Sequence, residues 1–283
     1  LSREISRIAD ASVTEMLALS DAAVATGRRI GVTGPPGAGK SSLIARLVRQ
    51  RLERAGDIAV IAVDPTSPVS GGAILGDRIR MEELATDPRV YIRSLASRHS
   101  LDGLADNLPS VLDYLETAGF TELVIETVGV GQVEYEIRSL VDTLVLVLIP
   151  GAGDQIQAMK GGILETADII AVNKADLPGV KQLVAELRSV LERRPAAGWT
   201  VPVILTSSAD PAGETALAEA IDRHRDWCAQ TGRNKALLAQ RKRHHVGSLI
   251  ARRLHEVLPE LPAAILDRPL AGLYDEVLRR LTV

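Results

Sequence analysis

The chain has 283 residues, enough for one large domain or a medium domain with additions, and its single cysteine, Cys228, excludes both a disulfide framework and a cysteine-rich zinc site within one chain. A formal net charge of −3 gives no global excess that would favour nucleic acid or an acidic membrane surface, and no apolar run approaches the ~20 residues of a membrane span. Apolar residues make up 46 % of the chain but aromatics only 2 %, so the core must be built from Val, Ile, Leu and Ala, as suits a parallel sheet covered by helices. A cytoplasmic location is expected, because there is no signal-peptide h-region and cysteine usage fits a reducing compartment; a first residue that is not Met, Leu1, points to trimming or processing.

Residues 1–27 carry Ile5, Ile8, Val13, Met16, Leu17 and Val24 at helical spacing and read as an amphipathic helical prefix. From Arg28 short β-branched runs alternate with helical stretches. The runs are Ile30–Thr33, Ile58–Val63, Val90–Arg93, Leu123–Glu126, Thr143–Ile149, Ile169–Val172 and Val201–Leu205. Several are apolar at nearly every position, as strands buried on both faces must be. This alternation predicts an α/β fold with a mostly parallel sheet flanked by helices, its ligand beyond the carboxyl ends of the strands. The expected division is a helical extension over 1–27, a nucleotide-binding domain over 28–231 and a helical arm over 232–283. In the arm, Leu238, Val246, Leu249, Ile250, Leu254, Val257 and Leu258 form one apolar stripe, Pro259 and Pro262 break it, and Leu270, Leu273, Tyr274, Val277, Leu278 and Leu281 form another. Helices this few cannot make their own core, so they must pack on the main domain or on another chain.

Directly after the first strand run, Gly34-Pro35-Pro36-Gly37-Ala38-Gly39-Lys40-Ser41 spells a phosphate-binding loop, with a helix-like stretch from Ser42 behind it. Glycines let successive amides point inward at phosphate oxygens, and the helix N-terminus adds its positive end. Gly37, Ala38, Gly39, Lys40, Ser41 and Ser42 are thus the expected phosphate contacts, with Lys40 reaching the β- and γ-phosphates and the Ser41 hydroxyl a ligand for Mg²⁺.

Asn173-Lys174-Ala175-Asp176 follows the strand Ile169–Val172. A carboxylate at Asp176 can accept from guanine N1–H and N2–H₂, whereas adenine would leave it unpaired at substantial cost. Asn173 can bond the N7/O6 edge and tie loops together, and the Lys174 stem can lie on the ring face. Thr206-Ser207-Ser208-Ala209 would then bring backbone amides, at Ser208 and Ala209, to guanine O6. Two acids end strand runs, Asp64 after Val63 and Glu126 after Ile125, and are expected to hold Mg²⁺ beside Ser41, directly or through water. Glu126-Thr127-Val128-Gly129 stands where most GTPases carry Asp-x-x-Gly, which aims the Gly129 amide at the γ-phosphate. The Ras-type water-orienting Gln would come next, but Val130 is there and Gln132 lies two positions later. Slow intrinsic hydrolysis stimulated by a partner is therefore expected, with Asp77 a weaker candidate for ordering the attacking water. Lys40, Asp77, Glu126 and Gly129 are the catalytic candidates. The stretches from Asp64 to Arg78 and from Pro150 to Gln155, leading to Lys160, read as nucleotide-ordered loops.

On these residues the chain resembles the MeaB/MMAA (ArgK-like) GTPases. The matching segments are Val32 to Ser41, Val63-Asp64-Pro65 with Gly71 to Arg78, Glu126-Thr127-Val128-Gly129-Val130-Gly131-Gln132, Gly151 to Asp154 and Asn173 to Asp176. The resemblance implies a GTP-dependent chaperone for an adenosylcobalamin-dependent acyl-CoA mutase, such as methylmalonyl-CoA mutase, which gates cofactor loading and protects or reactivates the mutase. It also implies a homodimer formed through the C-terminal helices, and a third nucleotide-sensing loop over 151–162 with Lys160. The chain departs from the family at Ser97 to Gly103 and at Gly161, and its prefix is short. Two other readings compete. A nickel-type metallochaperone would need Cys and His at metal spacing, where only His224 and Cys228 come near. A small-molecule or protein kinase would need a catalytic base by an acceptor pocket, and Asn173 to Asp176 argues against ATP. The basic run Arg241-Lys242-Arg243-His244-His245 reads as a solvated helix face or partner surface rather than a nucleic-acid or membrane site.

Overall fold

A computed structural model describes residues 1–18, 27–65, 81, 84–97, 107–127, 136–151, 162–194 and 198–281, with the side chains of 64, 65 and 97 left aside. Among the described residues seven strands form one parallel sheet: β1 (Arg28–Thr33), β2 (Ile58–Pro65), β3 (Val90–Ser97), β4 (Glu122–Thr127), β5 (Thr143–Leu148), β6 (Ile169–Val172) and β7 (Val203–Leu205). Their spatial order is β3-β2-β4-β1-β5-β6-β7. All seven expected strands are present. β1 starts two residues earlier than its apolar run, because Arg28 and Arg29 join the ladder through their backbones while their side chains turn to carboxylates. β7 starts later, at Val203, just beyond Pro202, which has no amide to give a ladder.

The inner strands are buried on both faces. One face carries Ile61, Leu123, Ile125 and Leu146 against α1 (Ser2–Asp10), α4 (Leu108–Thr117) and α6 (Val180–Leu191). The other carries Ile30, Val60, Val124 and Val147 against α3 (Lys40–Arg51) and α7 (Ala212–Gln230). α5 (Ile163–Thr166) is a single turn ahead of β6. Because every strand runs the same way, Thr33, Asp64, Thr127, Leu148, Val172 and Leu205 all end at one edge. The central strand β1 lies between β4 and β5, where the strand order reverses and the crevice for a ligand opens.

Among the described residues the N-terminal prefix is helical in two pieces. α1 ends at Asp10 and α2 (Val13–Ala18) restarts at Ser12. Ser12 and Glu15 cap each other: the Ser12 amide donates to Glu15 Oε2 at 2.7 Å, and the Glu15 amide donates to Ser12 Oγ at 3.3 Å. Ile5, Ile8, Val13 and Met16 are buried as expected, whereas Leu17 is 61 % exposed, and Val24 lies outside the described residues. Asn107, in the left-handed region at φ 57, fastens the prefix by donating from Nδ2 to Ile8 O (2.7 Å) and Ala11 O (3.0 Å).

At the C-terminal side, Gly232 at φ +71 ends α7 and lets α8 (Arg233–Val257) set off in a new direction. A short 3₁₀ turn follows over Leu258–Glu260, then α9 (Ala263–Leu266) and α10 (Leu270–Leu281). α8 packs on α2, α7 and the 3₁₀ turn Ile137–Ser139 that precedes β5, while α10 packs on α8. Leu237, Val257 and Val277 are buried, but Val246, Ile250, Leu270, Tyr274 and Leu278 remain exposed. The basic run of α8 departs from its sequence reading. Lys242 and Arg243 do face solvent, but Arg241, His244 and His245 are turned inward onto carboxylates of the α/β body.

Candidate functional site

The loop between β1 and α3 is shaped by glycine at three points. Gly34 has φ +143, and a Cβ there would lie 2.1 Å from Val147 O of β5. Gly37 and Gly39 have φ +74 and +82, and a Cβ on Gly39 would meet Asn173 Nδ2 at 2.6 Å. A side chain at Gly34 or Gly39 would break the close approach of loop, sheet and Asn173, whereas at Gly37, where a Cβ would meet nothing, only the positive φ favours glycine. Gly39 is also the N-cap of α3 and brings no capping side chain, so the first-turn amides of the helix stand ready for an anion. Lys40 is buried and folds back over the loop, where its Nζ donates to Gly34 O at 2.8 Å and Pro35 O at 3.1 Å. Its ammonium therefore sits at the loop mouth, where phosphate oxygens would take the place of carbonyls.

Ser41, on the first turn of α3, donates its hydroxyl to Glu126 Oε1 at 2.8 Å, and both residues are buried. Two hard oxygen donors, one on the first turn of α3 and one near the end of β4, fit the ligand preference of Mg²⁺. The β2 backbone, paired with β4 through Ala62 and Val63, carries Asp64 to the same edge. One residue beyond Glu126, Thr127 donates its hydroxyl to Thr33 Oγ1 at 2.9 Å, so the ends of β4 and β1 are joined side by side. Asp77, Gly129, Val130, Gln132 and Lys160 lie outside the described residues, as do the bulk of both expected nucleotide-ordered loops and the departure over 98–103.

Asn173 is the keystone of the cleft. Its amide nitrogen donates to Ala38 O of the phosphate loop at 2.8 Å, while its side-chain oxygen accepts from Thr206 Oγ1 at 3.0 Å. This amide thus ties the phosphate loop to the loop after β7. Lys174 adopts φ 53, and its Nζ reaches Gly37 O at 2.9 Å, a second stitch to the phosphate loop. Asp176 is exposed and turned to Ser207, whose hydroxyl donates to Asp176 Oδ1 at 2.6 Å. That bond is the main reason its carboxyl lies below the usual aspartate range. The loop after β7 is held by Ser207 in turn, which accepts from the Ala209 amide at 3.3 Å; Ser208 and Ala209 are exposed beside it. Sequence reading assigned this loop only backbone contacts and missed the hydroxyls of Thr206 and Ser207. Their roles depend on which partner each one faces across the cleft, and spacing along the chain does not encode that.

Away from the cleft, His224 is fully buried, with Nδ1 2.9 Å from Thr143 Oγ1 and Nε2 3.6 Å from Cys228 Sγ. Burial pushes the Cys228 thiol up to about 11, so it stays a thiol at neutral pH and is a poor metal ligand. Among the described residues no group of three or more His, Cys, Asp or Glu is placed to hold a metal ion.

A parallel sheet that presents a glycine-shaped loop, a buried lysine and a helix start at its central strand defines a P-loop nucleotide-binding protein of the α/β class. The profile of the family described as "Methylmalonyl Co-A mutase-associated GTPase MeaB" matches residues 4–262, and the chain belongs to that family. A protein of Pyrococcus abyssi, classed by name among the GTPases, is 39 % identical over 257 residues, covering 89 % of this chain and 77 % of that one. The mitochondrial methylmalonic aciduria type A homolog of Mus musculus is 37 % identical over 222 residues, covering 77 % and 53 %. The solved structure of a LAO/AO transport system kinase superposes with a TM-score of 0.63 at 25 % identity, over 99 % of this chain and 96 % of that one. HypB from Helicobacter pylori, solved with nickel, shares the fold alone, at a TM-score of 0.52 and 16 % identity over 79 % of this chain and 96 % of that one.

Proposed function

We propose that this member of the MeaB family binds GTP with Mg²⁺, hydrolyses it to GDP and phosphate, and uses that cycle as a G-protein chaperone for an adenosylcobalamin-dependent acyl-CoA mutase. The observation that carries the nucleotide reading is the Asn173 staple: its bond to Ala38 O puts the phosphate loop and the Asp176 loop on one cleft. Gly37, Ala38, Gly39, Lys40, Ser41 and Ser42 hold the phosphates. Asp176 selects guanine, Asn173 and Lys174 frame the base, and the Ser208 and Ala209 amides meet its O6. Ser41, Glu126 and Asp64 hold Mg²⁺, which when bound supplies positive charge to the β- and γ-phosphate oxygens. Gly129 contacts the γ-phosphate, and Asp77 orders the attacking water. The mutase as partner follows from the family's description and from the mouse relative's name.

The arm over 232–283 is the dimerisation element, and residues 28–231 form the GTPase domain. Leu270, Tyr274 and Leu278, four residues apart on α10, are 81 %, 62 % and 44 % exposed, an apolar stripe suited to a second copy. No helix among the described residues is long and apolar enough to cross a membrane. Metal delivery, the second reading, would rest on the likeness to HypB, and it is disfavoured by the buried, protonated Cys228.

The test is GTP turnover by the purified chain with and without a cobalamin-dependent acyl-CoA mutase. Turnover is expected to be slow alone and to rise with the mutase, toward the ~10³–10⁵-fold that a missing group supplied in trans can give. Fast turnover alone, or no response to any such mutase, would remove the chaperone assignment.

A further inference from the structure

The nucleotide cleft makes no use of the basic run on α8, yet that run is not a free surface. Arg241, His244 and His245 stand at i, i+3 and i+4 and so share one helix face. Arg241 Nη2 lies 3.3 Å from Asp142 Oδ1 and its Nη1 3.7 Å from Glu116 Oε1. His244 Nδ1 lies 3.5 Å from Glu136 Oε2. His245 places Nδ1 3.3 Å from Asp113 Oδ2 and Nε2 2.9 Å from Ser110 Oγ. Burial alone would raise the Asp113 carboxyl, but His245 and Arg29 outweigh it and hold that group below its usual range.

These carboxylates occupy two places on the α/β body, the amino end of β1 and the turn that precedes β5. Asp113 and Glu116 both receive the Arg29 guanidinium, and Asp142 Oδ2 accepts the Arg29 backbone amide at 2.9 Å. Arg29 belongs to β1, the strand that feeds the phosphate loop. Glu136 comes ten residues after Glu126 in the chain and opens the 3₁₀ turn Ile137–Ser139. That turn is pressed against β1: Ile137 is fully buried, and a Cβ on Gly31 would lie 3.1 Å from its Cδ1. The C-terminal helix therefore grips both the strand entering the phosphate loop and the turn returning from the Glu126 strand.

The grip is polar and mostly loose. Its contacts with carboxylates run from 3.3 to 3.7 Å, longer than the ~2.7–2.9 Å of charge-assisted hydrogen bonds, and buried Arg241 Nε has no acceptor among the described residues. Such a seam restrains position without locking it.

We infer that Arg241, His244 and His245 are positioning residues for GTP hydrolysis, bracing from the C-terminal helix the turn that follows the Glu126 strand against β1. This rests on the GTPase reading above. The phosphate loop keeps its own bonds, from Lys40 and Asn173, so the brace acts on turnover and leaves ground-state nucleotide binding alone.

The experiment uses the full chain, compared at one oligomeric state by sedimentation. R241M/H244Q is expected to lower single-turnover GTP hydrolysis by about fivefold or more while GDP affinity stays within about twofold. K242Q, at the exposed neighbour, should match the parent. Glu136→Lys should lose activity alone and recover it to within about twofold when combined with His244→Glu, with amide exchange over residues 137–140 rising in the single variant and falling again in the pair. Unchanged hydrolysis in folded R241M/H244Q would overturn the brace. If that variant does not fold, a charge-reversed pair that fails to recover turnover overturns it instead. A parent chain that neither binds GDP nor turns over GTP would sink the GTPase reading itself, an outcome distinct from a working parent whose rate the variants share.

Discussion

Lys40→Ala is expected to weaken GTP and GDP binding by at least about 100-fold while the chain remains folded. A lysine ammonium on phosphate makes charge-assisted hydrogen bonds of about 1.5–3 kcal/mol each, and two of them correspond to roughly 10²–10⁴ in affinity. The structure shows why no neighbour takes over. Lys40 is 7 % exposed, and its Nζ already serves two loop carbonyls, Gly34 O and Pro35 O. Truncation removes both the phosphate partner and the donor that holds Gly34 O and Pro35 O in place, so ordering the loop adds a cost on binding. Titration with a fluorescent GDP analogue reads the effect, and circular dichroism confirms that the variant is folded. Parent-like affinity in Lys40→Ala would withdraw its assigned role.

Asp176→Asn is expected to exchange guanine for xanthine nucleotides. Guanine presents N1–H and N2–H₂ to a carboxylate; xanthine presents a carbonyl at C2, which the asparagine amide can satisfy. Losing two charge-assisted bonds predicts a fall of about 10²–10⁴ in GDP affinity with a matching gain for the xanthine analogue. Asparagine keeps an oxygen for the Ser207 hydroxyl, which now sits 2.6 Å from Asp176 Oδ1, so the side chain should hold its orientation. The same bond works on pH dependence. It depresses the Asp176 pKa, so the ionised form contributes at every pH above the ordinary aspartate value and is lost only as pH falls through the lowered one. Guanine preference in the parent should therefore stay flat from neutral down to about pH 5. A variant that still prefers GDP over the xanthine analogue would remove the assignment.

What the sequence made legible follows from how far each interaction reaches along the chain. The strands were visible because a sheet buried on both faces forces unbroken apolar runs such as Thr143–Leu148. The phosphate loop was visible because its glycines and lysine are contiguous. The restart of the prefix at Ser12 and Glu15 is a local capping signal that the helical periodicity masked. The fate of Arg241, His244 and His245 was not visible. Their partners, Asp113, Glu116, Glu136 and Asp142, lie about a hundred or more positions earlier, and only the fold brings them opposite α8. Asn173 shows the same limit on a small scale: its motif suggested that it ties loops together, while only the fold supplies Ala38 and Thr206 as the partners.

Every role assigned above depends on one cleft that takes a guanine nucleotide. Competition against a bound fluorescent GDP analogue tests this most directly, using unlabelled GTP, GDP and ATP on the parent chain with Mg²⁺. GTP and GDP should each displace the analogue, and ATP should not at comparable concentrations. Displacement by ATP as effective as that by GTP would contradict the assignment of Asp176 and return the chain to the ATP-dependent kinases.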